Sequence, residues 1–269
     1  MGVYHACING ADKPDVISAP RPCSKKILEY NNRNIDHPTR LMSETIKFDQ
    51  PVVLVGGGEV DESLLRQFSH LPVIAADGGA NFLRQISLLP AAVIGDLDSI
   101  EDKDYWHKNS RVIELAEQDT TDFEKCLYTT EAPAFIATGF TGSRFDHTLA
   151  ALHVMQKYHQ KKPVILVSGD DVLYVCSSSI DLQLPVGTRV SLYPLNRVSF
   201  KSSDGLHYPL DNLTMQTGEM IGTSNISDKS LINIVPEFGG GCFALILPLS
   251  QLSAMAQMHD GVDFVNSTG

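Results

Sequence analysis

Between residues 50 and 160 one unit recurs: a short apolar run, a cluster of glycine and aspartate, then a stretch of helical periodicity. The runs at 52–55, 72–76, 91–94 and 134–137 carry no polar alternation, so none of them has a face to offer water. A strand of that kind is stable only with both faces covered, as in a parallel sheet packed between helices. Strand and helix alternating at this spacing predict a mostly parallel sheet with helices on both faces over residues 49–160. Such sheets place their ligands at the carboxyl ends of the strands. That is where the aspartates stand: Asp77 in AADGGAN, Asp96 and Asp98 in IGDLDS, Asp119 and Asp122 in QDTTD, and Asp146 in RFDH.

The texture changes after Lys161-Lys162-Pro163. VILVSG, DVLYVCS, RVSLYPL, LTMQTG, LINIV and CFALILPL follow one another without helical stretches, and Val190, Leu192 and Pro194 alternate with Ser191 and Tyr193. This pattern predicts a second domain over 161–250, an antiparallel β-sandwich or small open barrel. The expected fold class is therefore α/β followed by a C-terminal antiparallel β-sandwich. Residues 1–48, polar and interrupted by Pro14, Pro20, Pro22 and Pro38, read as a loose N-terminal extension, and 251–269 as a short helix or tail.

Charge and cysteine usage narrow the partners. A net charge of −11 argues against a nucleic-acid backbone as partner. It does not argue against ATP, because a bound divalent cation inverts the local charge logic. Cys7, Cys23, Cys126, Cys176 and Cys242 show no metal-ligand spacing, and their odd number fits reduced thiols. No signal-peptide pattern and no membrane-length apolar run is present, so a soluble cytoplasmic protein is expected.

Several carboxylates converging on one sheet rim repel one another unless a cation holds them. Asp96 and Asp98 stand two apart, and in an extended segment such residues point the same way. Two such carboxylates can hold one Mg²⁺, directly or through its waters; the alternative is a turn with an aspartate bonded to its own backbone, and the second acidic motif at a neighbouring strand tip favours the metal. Asp119 and Asp122 stand three apart beside Phe123, Cys126 and Leu127, which predicts a helix capped by Asp119 or Thr120 with both carboxylates near one face. Capping alone accounts for one of the two. Gly78 allows close backbone approach and Asn81 adds a neutral polar group. Gly57 and Gly58, within VGGG, offer backbone N–H groups to phosphate, or serve only as a turn. In TGFTGSRFDH, Thr138, Thr141 and Ser143 supply hydroxyl donors and Arg144 a forked one, unless Arg144 merely pairs with Asp146. His147 reads as a capping or core histidine. No G-x-S-x-G is present, which disfavours covalent hydrolysis. These residues predict a magnesium-dependent nucleotide transferase that moves a group directly between two bound substrates.

VLVGGG, DGGAN, IGDLDS, QDTTDFEKCL, TGFTGSRFDH, DGLHYPL and GTSN, in this order across about residues 50–248, resemble the thiamine pyrophosphokinase family. The resemblance implies an α/β domain, a β-sandwich that binds thiamine, and a homodimer with the active site at the subunit interface. It implies transfer of the pyrophosphoryl group of Mg-ATP to the thiamine hydroxyl, giving thiamine diphosphate and AMP. By motif, Asp77, Asp96, Asp98, Asp119 and Asp122 match the acidic magnesium–nucleotide cluster. Arg144 and Asp146 match a glycine-rich active-site loop. Ser224 and Asn225 match a TSN segment that helps hold thiamine from the partner subunit. Tyr208 stands where family members with GLKW carry tryptophan, which keeps an aromatic face and adds a hydroxyl. Two rivals are a glycosyltransferase holding a metal–nucleotide-sugar through Asp96 and Asp98, and a non-enzymatic nucleotide-sensing module.

Overall fold

The computed structural model describes residues 45–142, 144–239 and 241–258. Its strands, in chain order, begin with β1 (Ile46–Lys47), β2 (Val52–Val55), β3 (Val73–Ala76), β4 (Ala92–Gly95), β5 (Arg111–Glu114), β6 (Thr130–Glu131), β7 (Phe135–Thr138) and β8 (Val164–Ser168). Six of these form a parallel array in the order β8-β7-β2-β3-β4-β5. β2, β3, β4 and β7 are buried at every position, as their unbroken apolar sequences require. β1 and β6 pair with each other as a separate parallel ribbon.

Helices cover both faces of the array. On one side α1 (Glu62–Gln67), α2 (Gly79–Gln85) and α3 (Lys103–Asn109) contribute Leu64, Leu65, Leu83 and Trp106 to one apolar cluster. On the other, α4 (Asp122–Thr129) and α5 (Phe145–Tyr158) contribute Phe123, Cys126, Leu127, Val154 and Met155 to a second.

The remaining strands are β9 (Asp171–Cys176), β10 (Ile180–Gln183), β11 (Arg189–Pro194), β12 (Val198–Asp204), β13 (Thr214–Met215), β14 (Gly222–Ile226), β15 (Leu231–Pro236) and β16 (Phe243–Pro248). Four of them do not start a new sheet. β9 pairs antiparallel with β8, and β16, β11 and β14 follow, so one ten-stranded mixed sheet runs β14-β11-β16-β9-β8-β7-β2-β3-β4-β5. The sheet is thus continuous past residue 160, where the sequence changes texture. The other four form an antiparallel sheet in the order β10-β15-β12-β13. Ile180, Leu182, Phe200, Ile232 and Ile234 of that sheet share a core with Val172, Val190, Leu192, Phe243 and Leu245 of the larger one. The smaller sheet is one-sided, and its period-2 alternation is clearest in β10, where Ile180 and Leu182 are buried and Asp181 and Gln183 exposed, whereas β9 and β16 also bury Leu173, Val175 and Ala244 on their other face. β10, β12 and β14 are strands that the apolar runs did not announce. The segment LTMQTG yields only the two residues of β13.

The short helix α6 (Leu252–Ala256) closes the described chain, burying Leu252, Met255 and Ala256. The expected N-terminal extension lies outside the described residues except at its last positions, and so does the tail beyond 258.

Close approach between β2 and α2 fixes one glycine. A Cβ on Gly79 would stand 2.1 Å from the Val55 carbonyl oxygen, a backbone atom that cannot move aside. Gly79→Ala is expected to destabilise the fold by about 1–3 kcal/mol, read as a lower denaturant midpoint. An unchanged midpoint would contradict this packing.

Candidate active site

A cleft of about 510 Å³ opens at the carboxyl ends of the parallel strands. Gly56, Gly57 and Gly58 after β2, Asp77, Gly78 and Asn81 after β3, and Asp96 and Ser99 after β4 line it. Gln118, Thr120, Thr121, Asp122 and Lys125 line it from the segment after β5, and Phe140, Thr141, Arg144 and His147 from the segment after β7. β2 lies between the two directions in which the strand order grows, so the cleft sits where α/β sheets open a crevice. Its volume is in the range of small-ligand sites.

Three carboxylates meet in it. Asp77, Asp96 and Asp122 each place an oxygen within 4.8 Å of the others. They come from three separate segments, and the register of β3 against β4 holds the first two together. Asp77 adopts φ 43°, a left-handed conformation that turns its side chain back over the strand end. It is 4% exposed, and among the described residues no donor reaches its Oδ1. Burial pushes its carboxyl above the ordinary range against hydrogen bonds from Ser99 and the Gly78 N–H, and the neighbouring Asp96 and Asp98 add to the push. Burial also raises Asp122, against the pull of Lys125. Burial pushes Asp96 up as well, but hydrogen bonds from Gln118 and the Asp98 N–H, with Lys125 nearby, outweigh it and hold Asp96 low. A buried carboxylate oxygen without a donor, beside two more carboxylates, is the donor set of a hard, oxygen-preferring cation.

Asp98 and Asp119 do not join this cluster. Leu97, between Asp96 and Asp98, has φ 63°, so the segment is a turn and not an extended strand. Asp96 Oδ1 accepts the Asp98 N–H at 3.3 Å, while the exposed Asp98 carboxylate accepts the Ser99 hydroxyl at 2.9 Å. The extended geometry expected from their spacing is absent, and of the two only Asp96 belongs to the group of carboxylates whose oxygens lie within 4.8 Å of one another. Asp119 precedes the helix: Thr121 is the N-cap, its Oγ1 accepting the Glu124 N–H at 3.2 Å, and Asp122 is the first helical residue. The i,i+3 geometry expected for Asp119 and Asp122 therefore does not arise.

Two residues that the motifs did not single out organise the site. Glu117 accepts hydrogen bonds from the Asp119 N–H at 2.8 Å, the Thr120 N–H at 3.0 Å, the Thr120 hydroxyl, and Tyr128 Oη at 2.8 Å. It ties the loop after β5 to the second turn of α4. Burial pushes its carboxyl up, yet the bonds from Thr120 and Tyr128 prevail and hold it low. Lys125, in the first turn of α4, places Nζ 3.1 Å from Asp122 Oδ1 and 3.8 Å from Asp96 Oδ2, with its side chain 2% exposed. An Asp–Lys pair at i,i+3 was the available signal, although such pairs usually lie on a solvated face.

The glycine run serves contact between loops. Gly56 and Gly58 N–H groups bond the Thr138 and Gly139 carbonyls at 2.8 and 2.7 Å, and α1 starts only at Glu62. Of the two donors expected to cradle phosphate at a helix N-terminus, the Gly58 N–H is therefore spent on the loop after β7. Gly57 faces Gly78 across the cleft floor. Asn81 clamps the segment after β4, donating to the Ser99 carbonyl at 2.8 Å and accepting the Glu101 N–H at 3.1 Å. Thr141 is buried at the cleft wall, and Phe140 stacks on Phe123 at 4.2 Å. Arg144 donates to Asp146 at 2.7 Å across an exposed pair at the start of α5. Ser143 lies outside the described residues.

Tyr208, Ser224 and Asn225 do not line this cleft. They stand together in the antiparallel half. Buried Asn225 accepts the Tyr208 N–H at 3.0 Å and donates to its carbonyl at 2.7 Å, fixing a ring that is 62% exposed.

Two family models match the chain: thiamin pyrophosphokinase, catalytic domain, over residues 67–167, and thiamin pyrophosphokinase, vitamin B1 binding domain, over 177–235. Thiamin pyrophosphokinase 1 of Caenorhabditis elegans is 30% identical over 170 residues, covering 56% of this chain and 70% of that protein. Thiamine pyrophosphokinase 1 of Oryza sativa subsp. japonica is 30% identical over 198 residues, covering 61% and 75%. In fold, the chain is similar to the yeast thiamin pyrophosphokinase crystal structure, with TM-score 0.65 and 18% identity over 76% of this chain and 88% of that one. The enzyme from Candida albicans gives TM-score 0.65 and 16% identity over 74% and 89%.

The buried carboxylate of Asp77, whose Oδ1 no donor reaches among the described residues, makes a stability prediction of unusual sign. Asparagine tolerates the left-handed backbone and removes the charge. Asp77→Asn is expected to raise the Tm of the metal-free protein by roughly 2–4 °C, about 1 kcal/mol, while abolishing activity. A lower Tm in chelator-treated samples would show that the carboxylate is not strained.

Proposed function

This chain belongs to the thiamin pyrophosphokinase family, and we propose that its cleft binds Mg-ATP and transfers the pyrophosphoryl group to the hydroxyl of thiamine. The observation that carries this reading is the convergence of Asp77, Asp96 and Asp122 at the strand ends. Asp77, Asp96 and Asp122 would hold the Mg²⁺, which supplies charge neutralisation to the phosphoryl oxygens when bound.

The chain's own groups do the rest. The thiamine oxygen attacks the β-phosphorus of ATP, the bond from that phosphorus to the α,β-bridging oxygen breaks, and AMP leaves. The hydroxyl proton passes to a carboxylate at the cleft edge. Exposed Asp98 and Asp119 are the candidates for that role, or for holding a second phosphate-bound cation at the rim. Arg144 can leave Asp146 and turn its forked donors to phosphate oxygens, since the pair is exposed and holds it weakly. Thr141, Gly57, Gly58 and Gly78 shape the wall against which the triphosphate lies.

The thiamine half-site is expected from a second copy of the chain. Tyr208, Ser224 and Asn225 present an aromatic face and polar groups outside the acidic cleft, so a homodimer that brings one set against the other completes a site. Exposed apolar side chains support an interface: Phe145 is 72% and Leu149 53% exposed on α5, and Met220, Ile221 and Ile226 flank the antiparallel half. The nucleotide-sugar alternative expected Asp96 and Asp98 to share a cation, whereas Asp96 groups with Asp77 and Asp122, which favours the transferase reading. Cys126, Cys176 and Cys242 are buried free thiols, consistent with a reducing, cytoplasmic setting. Among the described residues no helix is long and apolar enough to cross a membrane.

Incubation with ATP, Mg²⁺ and thiamine is expected to give thiamine diphosphate and AMP in equal amounts by chromatography. ADP with thiamine monophosphate would sink the pyrophosphoryl assignment. The shared site has its own test, in which Asp122→Asn protein is mixed with a Tyr208→Ala/Ser224→Ala double variant after each is found inactive. Random subunit exchange is expected to restore roughly a quarter of wild-type activity, since half the dimers are mixed and each has one intact site. No recovery, with exchange verified by mass spectrometry, would place the whole site within one chain.

A further inference from the structure

We propose that Lys125 is a resident counter-ion of the carboxylate cluster, setting it to accept one divalent cation and weakening its grip on that cation. The inference rests on the reading of the cleft as a divalent-ion site and deepens it. A lysine with 2% of its side chain exposed is costly unless its charge is used. Here Nζ lies 3.1 Å from Asp122 Oδ1 and 3.8 Å from Asp96 Oδ2, on the side of the cluster formed by α4. It does not reach Asp77, whose Oδ1 is left without a donor.

The charges then balance in a particular way. Three carboxylates against one ammonium leave a formal charge of minus two, which a single divalent ion cancels. Without the ammonium, one divalent ion leaves a net negative cluster that resists the polyphosphate, and a second ion overshoots. An ammonium beside two of the three ligands also repels the incoming ion, so that the ion is held loosely until phosphate oxygens add their own charge. A site built this way favours a metal that arrives with its nucleotide and leaves with the product. A lysine that only pinned α4 to the sheet would raise stability and leave metal affinity unaltered.

The experiment uses Mn²⁺ alone, without ATP or thiamine, with free ion read by electron paramagnetic resonance and bound ion by calorimetry. Wild type is compared with Lys125→Met, Lys125→Gln and Lys125→Arg, each checked by circular dichroism. Wild type is expected to take one Mn²⁺ per chain weakly. The Met and Gln variants are expected to bind it about tenfold tighter or more, and the Arg variant to stay close to wild type. A folded Met or Gln variant that binds Mn²⁺ no tighter than wild type overturns the proposal while leaving the metal site standing. Should neither neutral variant fold, two equally tight Mn²⁺ ions on wild type overturn it. Absence of Mn²⁺ binding in wild type and neutral variants alike overturns the metal site and this proposal together.

Discussion

Mutual repulsion among Asp77, Asp96 and Asp122 is the force against which the catalytic half of this protein is built. Their oxygens lie within 4.8 Å of one another, a distance at which unscreened carboxylates cost several kcal/mol in a protein-like medium, on the order of 4 kcal/mol per pair. Nothing local in the sequence holds them there. The register between β3 and β4, the left-handed turns at Asp77 and Leu97, and the N-terminus of α4 do so from three directions. Each of these is in turn fixed by apolar burial: β3 and β4 are buried throughout, Leu97 is 1% exposed, and α4 is anchored by Phe123, Cys126 and Leu127. The core is what allows the rim to be strained.

Seen this way, the hydrogen bonds around the cleft fall into two groups. Asn81, which also lines the cleft, and Glu117 organise loops. Asn81 closes the segment after β4, and Glu117 gathers the N–H groups ahead of α4. Lys125 and Gln118 act on the carboxylates themselves, since Gln118 donates to Asp96 Oδ2 at 2.7 Å. Loop order and charge placement are thus carried by different side chains, so each can vary without undoing the other.

Strands with both faces buried were legible because unbroken apolar runs have few other destinations. The position of the aspartates at strand ends followed from the same reading. What the sequence concealed is side-chain direction beyond the strand end. Asp96 and Asp98 lose the extended geometry through one φ angle at a leucine, a residue type that seldom adopts it. Asp119 falls outside α4 because Thr121 takes the cap. Lys125 was unreadable for a different reason: a lysine three residues after an aspartate ordinarily marks a solvated face, and only the tertiary position of α4 buries it. In the antiparallel half, β10 and β14 went unseen because they are short and polar on one side, and β12 because its seven residues turn polar after Phe200. The change of texture near residue 160 reflects covering on one face by a second sheet where helices covered both faces before.

That shared sheet has a mechanical consequence. The bonds from β7 to β8 and from β8 to β9 join the nucleotide half to the antiparallel half through backbone, with no linker between them. A hinge opening of the two halves would tear a ladder out of the middle of a sheet, so this chain cannot shield its reaction from water by folding over on itself as two-lobed kinases do. Exclusion of water falls to the loops after β5 and β7 and to whatever surface settles over them. Backbone amides of β8 and β9 should accordingly be among the slowest to exchange with solvent, with or without bound substrates.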